Sequence, residues 1–225
     1  MKFKSIAIDG PSGAGKSTMA RRVAEALGYL YVDTGAIYRT LGLSALRRGL
    51  DLSDTGAVIS LLPQVSLGMD HGPDGLQHMY LWGEDVTEAI RRPEVSKAAS
   101  AVSALPEVRA FLMDMQRDLA KTHDVVMDGR DIGTVVLPGA DAKIFLTASS
   151  EARARRRCDE LAARGTPQAF DTVLAEIVER DRRDTTRSAA PLRQAEDAVL
   201  VETTELGLEE SFEALLAAVR RKLDL

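Results

Sequence analysis

One short stretch of this 225-residue sequence carries residues whose types and spacing could do chemistry. Gly10, Gly15, Lys16 and Ser17 fit the spacing G-x-x-x-x-G-K-[ST], between an apolar run and a helical pattern over residues 19–27. Glycines let the backbone wrap around an anion with successive N–H groups pointing inward, and the start of a helix adds partial positive charge. The lysine can reach terminal phosphates, and the serine hydroxyl can ligate Mg²⁺.

This stretch predicts a nucleoside triphosphate site with Ser17 as the metal ligand. The predicted triphosphate-binding residues are Gly10, Pro11, Ser12, Gly13, Ala14, Gly15, Lys16, Ser17 and Thr18. The alternative is a glycine-rich turn that binds nothing. A strand before the loop and a helix after it are the context that the motif requires, so we favour the binding site.

A second set of residues could bind anions elsewhere in the chain. Tyr38 and Arg39 follow the second predicted strand, Arg130 follows the third, and more arginines lie on two late helices, at positions Arg153, Arg157, Arg180, Arg183 and Arg187. Any one of these arginines could belong to a solvated, salt-bridged helix face. As a group they match phosphoryl transfer, which needs positive charge around the migrating group. No N-K-x-D stretch, the usual source of guanine specificity, is present.

The elements that must position these residues alternate between short apolar strands and helices. Strands are predicted within residues 3–8 and over 29–32, 124–128, 143–147 and 198–201. Helices are predicted over 19–27, 36–48, 55–62, 93–104, 106–120, 151–164, 170–184 and 208–223. This order predicts an α/β fold with a five-stranded parallel sheet and helices on both faces, whose strand ends carry Asp9, Asp33 and the phosphate loop.

Between residues 64 and 87 the pattern changes from helical to alternating. Strands are predicted over 65–69 and 77–82, with a turn at Gly72-Pro73-Asp74-Gly75 and a third short strand at 84–87. The sequence therefore predicts a small antiparallel β insert, over about residues 63–96, in an otherwise α/β chain.

The composition and charge of the chain indicate which classes of binding partner it could have. A net charge of −5 argues against a non-specific nucleic-acid binder, and a single cysteine, Cys158, suits a reducing compartment. The apolar run before Asp9 is too short for a signal peptide or a membrane-spanning helix. His71, His78 and His123 lack zinc-ligand spacing. We therefore expect a cytoplasmic monomer that acts on small molecules, with no nucleic-acid or membrane partner.

Four motifs together resemble bacterial cytidylate kinase in its long form. Beside the phosphate loop, they are Asp33-Thr34-Gly35-Ala36-Ile37-Tyr38-Arg39, Asp128-Gly129-Arg130-Asp131-Ile132-Gly133-Thr134, and Glu179-Arg180-Asp181-Arg182-Arg183-Asp184 with Arg187 and Ala190-Pro191-Leu192. The resemblance covers essentially the whole chain and includes the strand-rich insert. Two departures, Ser17 where many of these kinases have glycine and Thr34 where many have serine, keep or add a hydroxyl.

The resemblance implies a P-loop kinase fold over residues 1–225, with an acceptor region at 36–110 and a lid at 153–187. It implies transfer of the γ-phosphoryl group of ATP, with Mg²⁺, to CMP or dCMP. The implied catalytic residues are Lys16, Arg130, Arg153, Arg157 and Arg187, with Arg153 and Arg157 as triphosphate clamps. The implied CMP-binding residues are Thr34, Tyr38, Arg39, Ser100, Arg109, Arg130, Asp131, Arg180, Asp184 and Arg187.

Two alternatives remain open from the residues themselves. A kinase of the same architecture could act on AMP, UMP, thymidylate or a non-nucleotide alcohol, and a panel of acceptors would discriminate. A protein of another class could hydrolyse ATP slowly and switch a partner. That protein would need a water-positioning residue and an exposed apolar surface, and the sequence shows neither clearly.

Overall fold

The computed structural model describes residues 2–72 and 75–225, and these residues form two β-sheets with helices around them. The strands are β1 (Ser5–Asp9), β2 (Leu30–Asp33), β3 (Leu67–His71), β4 (Gln77–Leu81), β5 (Glu84–Asp85), β6 (Val125–Gly129), β7 (Ala142–Thr147) and β8 (Val199–Glu202). The helices are α1 (Lys16–Leu27), α2 (Thr34–Arg47), α3 (Thr55–Leu61), α4 (Pro93–Val102), α5 (Pro106–Thr122), α6 (Ser150–Ala163), α7 (Phe170–Thr186) and α8 (Leu208–Leu223).

The larger sheet has five parallel strands in the order β2-β6-β1-β7-β8, as the sequence predicts. Side chains of its central strand alternate between two cores. Ile6 and Ile8 pack with α1 and α8, whereas Ala7 packs on the opposite face with Val32 and Met127. A strand buried on both faces needs apolar residues at every position, which explains the unbroken apolar run before Asp9.

The carboxyl ends of β1, β6 and β2 finish level with one another. Asp9 lies beside Gly129, and Asp33 lies beside Asp128 in the register of neighbouring strands. The phosphate loop and the two later motifs therefore start at one edge of the sheet, where ligands bind in open α/β folds. The buried Asp9 carboxylate accepts the backbone N–H groups of Ile132 and Gly133, both at 2.7 Å, and so holds the chain that leaves β6.

The segment after Asp131 forms a single turn of π-helix over Ile132–Val136, an element that the sequence did not predict. Such turns are rare and often lie at functional sites. Its N–H groups at Ile132 and Gly133 bond to Asp9 rather than to a preceding turn, so a long-range contact shapes it.

The β insert forms a three-stranded antiparallel sheet in the order β3-β4-β5. The predicted limits of its strands are wrong in three places: β3 covers 67–71 rather than 65–69, β4 ends at 81 rather than 82, and β5 is only two residues long. Trp82, predicted to end a strand, instead shares a tight turn with Gly83, both at positive φ. The predicted turn at 72–75 includes Pro73 and Asp74, which lie outside the described residues.

The insert rests on the helices of the acceptor region. Met79 and Leu81 of β4 are fully buried in a core with Ile37 and Leu41 of α2. Helices α2 and α4 approach closely at Gly42, where a Cβ would lie 2.9 Å from the Ala99 backbone nitrogen. Helices α6 and α7 form a separate small core. Ser149 caps α6 by accepting the Ala152 N–H.

No helix in the described ranges is long and apolar enough to cross a membrane.

We predict that Gly10→Ala lowers the free energy of unfolding by about 2 kcal/mol. Gly10 has φ +153°, and a Cβ there would lie 1.9 Å from the Leu146 carbonyl oxygen on the neighbouring strand. Gly139→Ala is the matched control, because a Cβ at Gly139 would have no atom of the described residues within 4 Å. Urea unfolding of both variants measures the effect, and equal midpoints would contradict this account of the loop.

Candidate active site

The phosphate loop joins β1 to α1 and leaves the first turn of the helix open. Gly15 precedes the helix with φ 83°, and no side chain in the described part of the chain caps the N–H groups that follow. These free donors are suited to an anion. The buried Lys16 crosses the loop and donates from Nζ to the Pro11 carbonyl oxygen at 2.7 Å. Burial, and then the charge of Arg130, lowers the pKa of Lys16 to about 7.

Asp128, at the end of β6, faces the start of α1. Its carboxylate accepts the Ser17 hydroxyl at 3.0 Å and the Tyr31 hydroxyl at 2.8 Å. Burial and the neighbouring Asp33 raise the pKa of Asp128 to about 6, with Lys16 opposing them. The site predictions missed this residue. Its signal was an acid ending a strand that neighbours the phosphate-loop strand.

The donor set beside the loop fits Mg²⁺ only in part. Ser17 and Asp128 supply one hydroxyl and one carboxylate, which are ligands that Mg²⁺ accepts. No group of three acidic, histidine or cysteine side chains that could hold a metal occurs in the part of the chain that the structure describes. An ion bound here would take its remaining ligands from phosphate oxygens and water, as Mg²⁺ commonly does in kinases.

Two arginines on the far side of the cleft are each held by a carboxylate. Arg39 donates to Asp33 at 2.7 Å, and Arg130 donates from Nε to Asp184 at 2.8 Å. Burial alone would raise the pKa of Asp184, but Arg130, Arg180 and Arg187 outweigh it and hold that pKa below its ordinary value. Each pair therefore fixes its guanidinium group while leaving other N–H donors to face a ligand.

Asp131 is buried between two arginines. Its carboxylate pairs with Arg109, and its other oxygen lies 3.5 Å from Arg187 Nη2. Arg109 also lies over the ring of Tyr38, with 5.5 Å between its guanidinium carbon and the ring centroid. This cluster brings together residues from α2, α5 and the segments after β6 and α7, which the sequence predicts to act together.

Arg180 is a further buried arginine of this cleft. Its buried Nε has no hydrogen-bond partner among the described residues. Burial and the nearby Arg130 lower the pKa of Arg180 to about 10. An arginine left in this state is suited to an anionic or polar ligand that would complete its bonds.

One cleft of about 670 Å³ joins the loop to these arginines. Of the described residues that line it, ten are lysine or arginine and five are aspartate or glutamate, although the whole chain carries a net charge of −5. The predicted site residues on its walls are Ser12, Gly13, Gly15, Lys16, Ser17, Thr18, Thr34, Tyr38, Arg39, Ser100, Arg109, Arg130, Asp131, Arg180, Asp184 and Arg187. Four more arginines also line it, although no motif in the sequence assigns them to the site: Arg21, Arg22, Arg91 and Arg164.

The structure does not bring Arg153 to the cleft as a triphosphate clamp. Each nitrogen of its guanidinium group donates to another protein group. Nε bonds to Ala148 O at 2.9 Å, Nη1 to Ser12 O at 2.9 Å and Nη2 to the Asp181 carboxylate at 2.7 Å. The side chain is buried behind the phosphate loop. Arg153 therefore ties α6, α7 and the loop together, and its role as a triphosphate clamp stays a prediction.

Arg157 is also outside the cleft. It pairs with Glu160 at 2.7 Å, one turn along α6, and faces a separate small groove beside Lys97 and Glu176. Helical spacing gave Arg153 and Arg157 a common face, but it could not tell which neighbour that face meets.

Comparison with known proteins identifies similar sequences along the whole chain. The family model described as cytidylate kinase matches residues 6–221. A cytidylate kinase of Pelotomaculum thermopropionicum is 51% identical over 217 residues, which cover 96% of each chain. One from Carboxydothermus hydrogenoformans is 50% identical, with 98% of this chain and 99% of the relative covered.

Solved structures resemble the fold at lower identity. An uncharacterized protein from Eubacterium ventriosum has a TM-score of 0.54 and 12% identity, with 98% of this chain and 99% of that chain covered. That likeness concerns the fold alone.

Mg²⁺ should strengthen ADP binding to the wild-type protein. We predict that Asp128→Asn weakens the binding of ADP in the presence of Mg²⁺ by about tenfold. An amide keeps the shape of the carboxylate but lacks its charge, so ADP without metal should bind the variant at least as tightly as it binds wild type. Calorimetric titrations with and without EDTA measure this difference. Tyr31→Phe is the control, because it removes one bond to Asp128 at 2.8 Å and leaves the carboxylate in place. A variant with the full Mg²⁺ gain would exclude Asp128 as a ligand.

Proposed function

The chain belongs to the cytidylate kinase family. We propose which residues of its cleft bind the donor triphosphate, the acceptor phosphate and the acceptor base. The protein transfers the γ-phosphoryl group of ATP to CMP or dCMP, giving ADP and CDP or dCDP. One observation carries the division of roles: a single cleft runs from the phosphate loop to an arginine cluster, so donor and acceptor phosphates can meet inside it.

The donor triphosphate binds at the phosphate loop. Backbone N–H groups at the start of α1 bind its phosphates, and Lys16 exchanges its bond to Pro11 for one to the terminal phosphates. Ser17 and Asp128 would hold Mg²⁺, which neutralises phosphate charge when bound. Contact with phosphate restores the full positive charge of Lys16, because an adjacent anion raises its lowered pKa.

The acceptor supplies its own nucleophile. A nucleotide phosphate has a second pKa near about 6, so its oxygens are largely ionised at neutral pH. The site therefore needs no strong general base. It needs alignment and positive charge, which Arg39, Arg130 and Arg187 supply from the walls of the cleft.

The cytosine base meets the Asp131 cluster. Cytosine presents an amino donor at N4 beside acceptors at N3 and O2. Asp131 accepts from the amine, while Arg109 and Ser100 donate to the ring acceptors. Arg180 and Asp184 bind the sugar hydroxyls, and Tyr38 and Thr34 complete the acceptor wall. These roles agree with the position of all seven residues on one cleft.

The lid, which comprises residues 153–187, closes over the phosphates and keeps water away from them, since water would compete as the acceptor. Arg153 contributes from behind the loop: its bonds to Ser12 and Asp181 couple the position of α7 to the loop backbone. Arg157 has no part in this scheme. A monomer and a cytoplasmic location remain predictions.

We predict that Lys16→Ala lowers turnover by at least about a hundredfold in a folded protein, because Lys16 neutralises charge on the transferring group. Lys143→Ala is a close control. Lys143 is also a buried lysine that donates to the carbonyl of a proline five residues away, Pro138, but it lies outside the cleft.

ADP release with CMP, dCMP, UMP and AMP as acceptors, together with circular dichroism, tests this prediction. We expect CMP and dCMP to be the best acceptors and Lys143→Ala to keep its turnover. Near-normal turnover by a folded Lys16→Ala variant would contradict the donor assignment. Acceptor-independent ADP release would indicate an ATP hydrolase instead.

We further predict that Asp131→Asn lowers kcat/KM for CMP at least about tenfold more than for UMP, because mispaired buried groups each cost about 1–3 kcal/mol. Uracil reverses the polarity at N3 and at position 4, and the amide of asparagine can donate to O4. Loss of the Asp131 charge beside Arg109 and Arg187 should lower kcat/KM for both acceptors. The readout is therefore the ratio of kcat/KM for CMP to kcat/KM for UMP. Ser100→Ala should change this ratio mildly. An equal decrease for both acceptors in Asp131→Asn would show that Asp131 does not read the base.

A further inference from the structure

The β insert contacts the five-stranded sheet at the outermost strand of that sheet, β2. Strand β2 lies at the edge of the five-stranded sheet and pairs on one side with β6. An edge strand presents unpaired backbone N–H and C=O groups along its free side. Two side chains of the insert bind such groups on β2, from paired positions at the ends of β3 and β4.

Gln77 makes a two-point contact with the backbone of Asp33. Its Oε1 accepts the Asp33 N–H at 2.8 Å, and its Nε2 donates to the Asp33 carbonyl oxygen at 3.2 Å. An amide side chain used in this way replaces the pair of bonds that a neighbouring strand would form. His71, opposite Gln77 in the hairpin, bonds from Nε2 to the Tyr31 carbonyl oxygen at 2.9 Å. Because a carbonyl only accepts, Nε2 carries the proton.

Asp33 is also the residue that orients Arg39. Its Oδ1 accepts the Ala36 N–H at 2.9 Å and caps α2, while its Oδ2 accepts from Arg39 at 2.7 Å. The guanidinium group lies close over Gly35, where a Cβ would be 3.0 Å from Arg39 Nη1. The position of the Asp33 backbone therefore sets where Arg39 can lie in the cleft.

We propose that Gln77, assisted by His71, is a positioning residue for the acceptor phosphate. It fixes the Asp33 backbone from outside the sheet, and Asp33 in turn fixes Arg39. This gives the β insert a part in the reaction although Gln77 and His71 lie outside the cleft walls. The inference rests on the proposed role of Arg39 in binding the acceptor phosphate.

The contact can be removed without unfolding the insert. Met79 and Leu81, on the same strand as Gln77, are fully buried against α2 and anchor the hairpin by apolar packing. Gln77 itself is half-buried, so its truncation leaves no large cavity.

The test is a double-mutant cycle between Gln77→Ala and Arg39→Met, read as KM for CMP and KM for ATP. Gln77→Ala alone should raise KM for CMP about tenfold, because a small displacement of a binding group is costly. KM for ATP should stay unchanged. In the Arg39→Met background, Gln77→Ala should change KM for CMP by less than about twofold, since coupled residues are not additive.

Two further variants separate positioning from general loosening. Gln77→Glu keeps an acceptor for the Asp33 N–H but places a carboxylate against the Asp33 carbonyl, so it should raise KM for CMP as Gln77→Ala does. His78→Ala alters the next residue of β4, whose ring bonds to Asp85 on the insert itself, and should leave KM for CMP within about twofold of wild type.

Amide hydrogen exchange at Asp33 gives a readout independent of activity. Without the Gln77 acceptor, exchange should become at least about tenfold faster at Asp33, with little change at Val32. Equal effects of Gln77→Ala in both backgrounds, an equal rise of both KM values, or no change in KM for CMP would overturn the proposal. If instead Arg39→Met alone leaves KM for CMP unchanged, the proposed role of Arg39 fails and takes the positioning proposal with it.

Discussion

The repulsion among cationic side chains around one cleft is the constraint on which this structure depends. Ten lysine or arginine residues line a space of about 670 Å³ in the described chain, within a protein of net charge −5. Buried like charges are costly unless anions lie between them. Asp33, Asp128, Asp131 and Asp184 supply these anions, and each bonds to a particular cation or hydroxyl. The carboxylates therefore decide where Arg39, Arg109 and Arg130 lie before any nucleotide binds.

This arrangement suits phosphoryl transfer between two phosphates better than it suits proton-transfer chemistry. Preorganised charges need not rearrange as the reaction proceeds, so their stabilisation is available in the transition state. Burial first, and then the charge of the neighbouring Arg130, lowers the pKa values of Lys16 and Arg180, so these two cations lie close to other positive charge in a desolvated site. Triphosphate and acceptor phosphate would supply negative charge, and they would also shield the arginines from one another.

Sequence patterns predicted those features of the fold that depend on residues close together in the chain. The loop between β1 and α1, the parallel sheet and the existence of the insert follow from motif spacing, apolar runs and turn residues. Other features depend on contacts between distant segments. Helical spacing could not show that Arg153 turns toward Ser12, which is 141 positions away, or that Arg157 faces another groove. The π-helical turn has its first two N–H groups bonded to Asp9, 123 and 124 positions away, and the bond from Gln77 to Asp33 spans 44 positions.

The central claim is that carboxylates hold the arginines in place for phosphates that enter the cleft. A crystal structure with ADP, Mg²⁺ and CMP bound tests it most directly. The account predicts the ADP phosphates on the loop N–H groups and Lys16, and the CMP phosphate on Arg39, Arg130 and Arg187. It also predicts that the pairs Asp33–Arg39 and Asp184–Arg130 are retained. A CMP phosphate bound away from these arginines, or bound only after both pairs have broken, would contradict it.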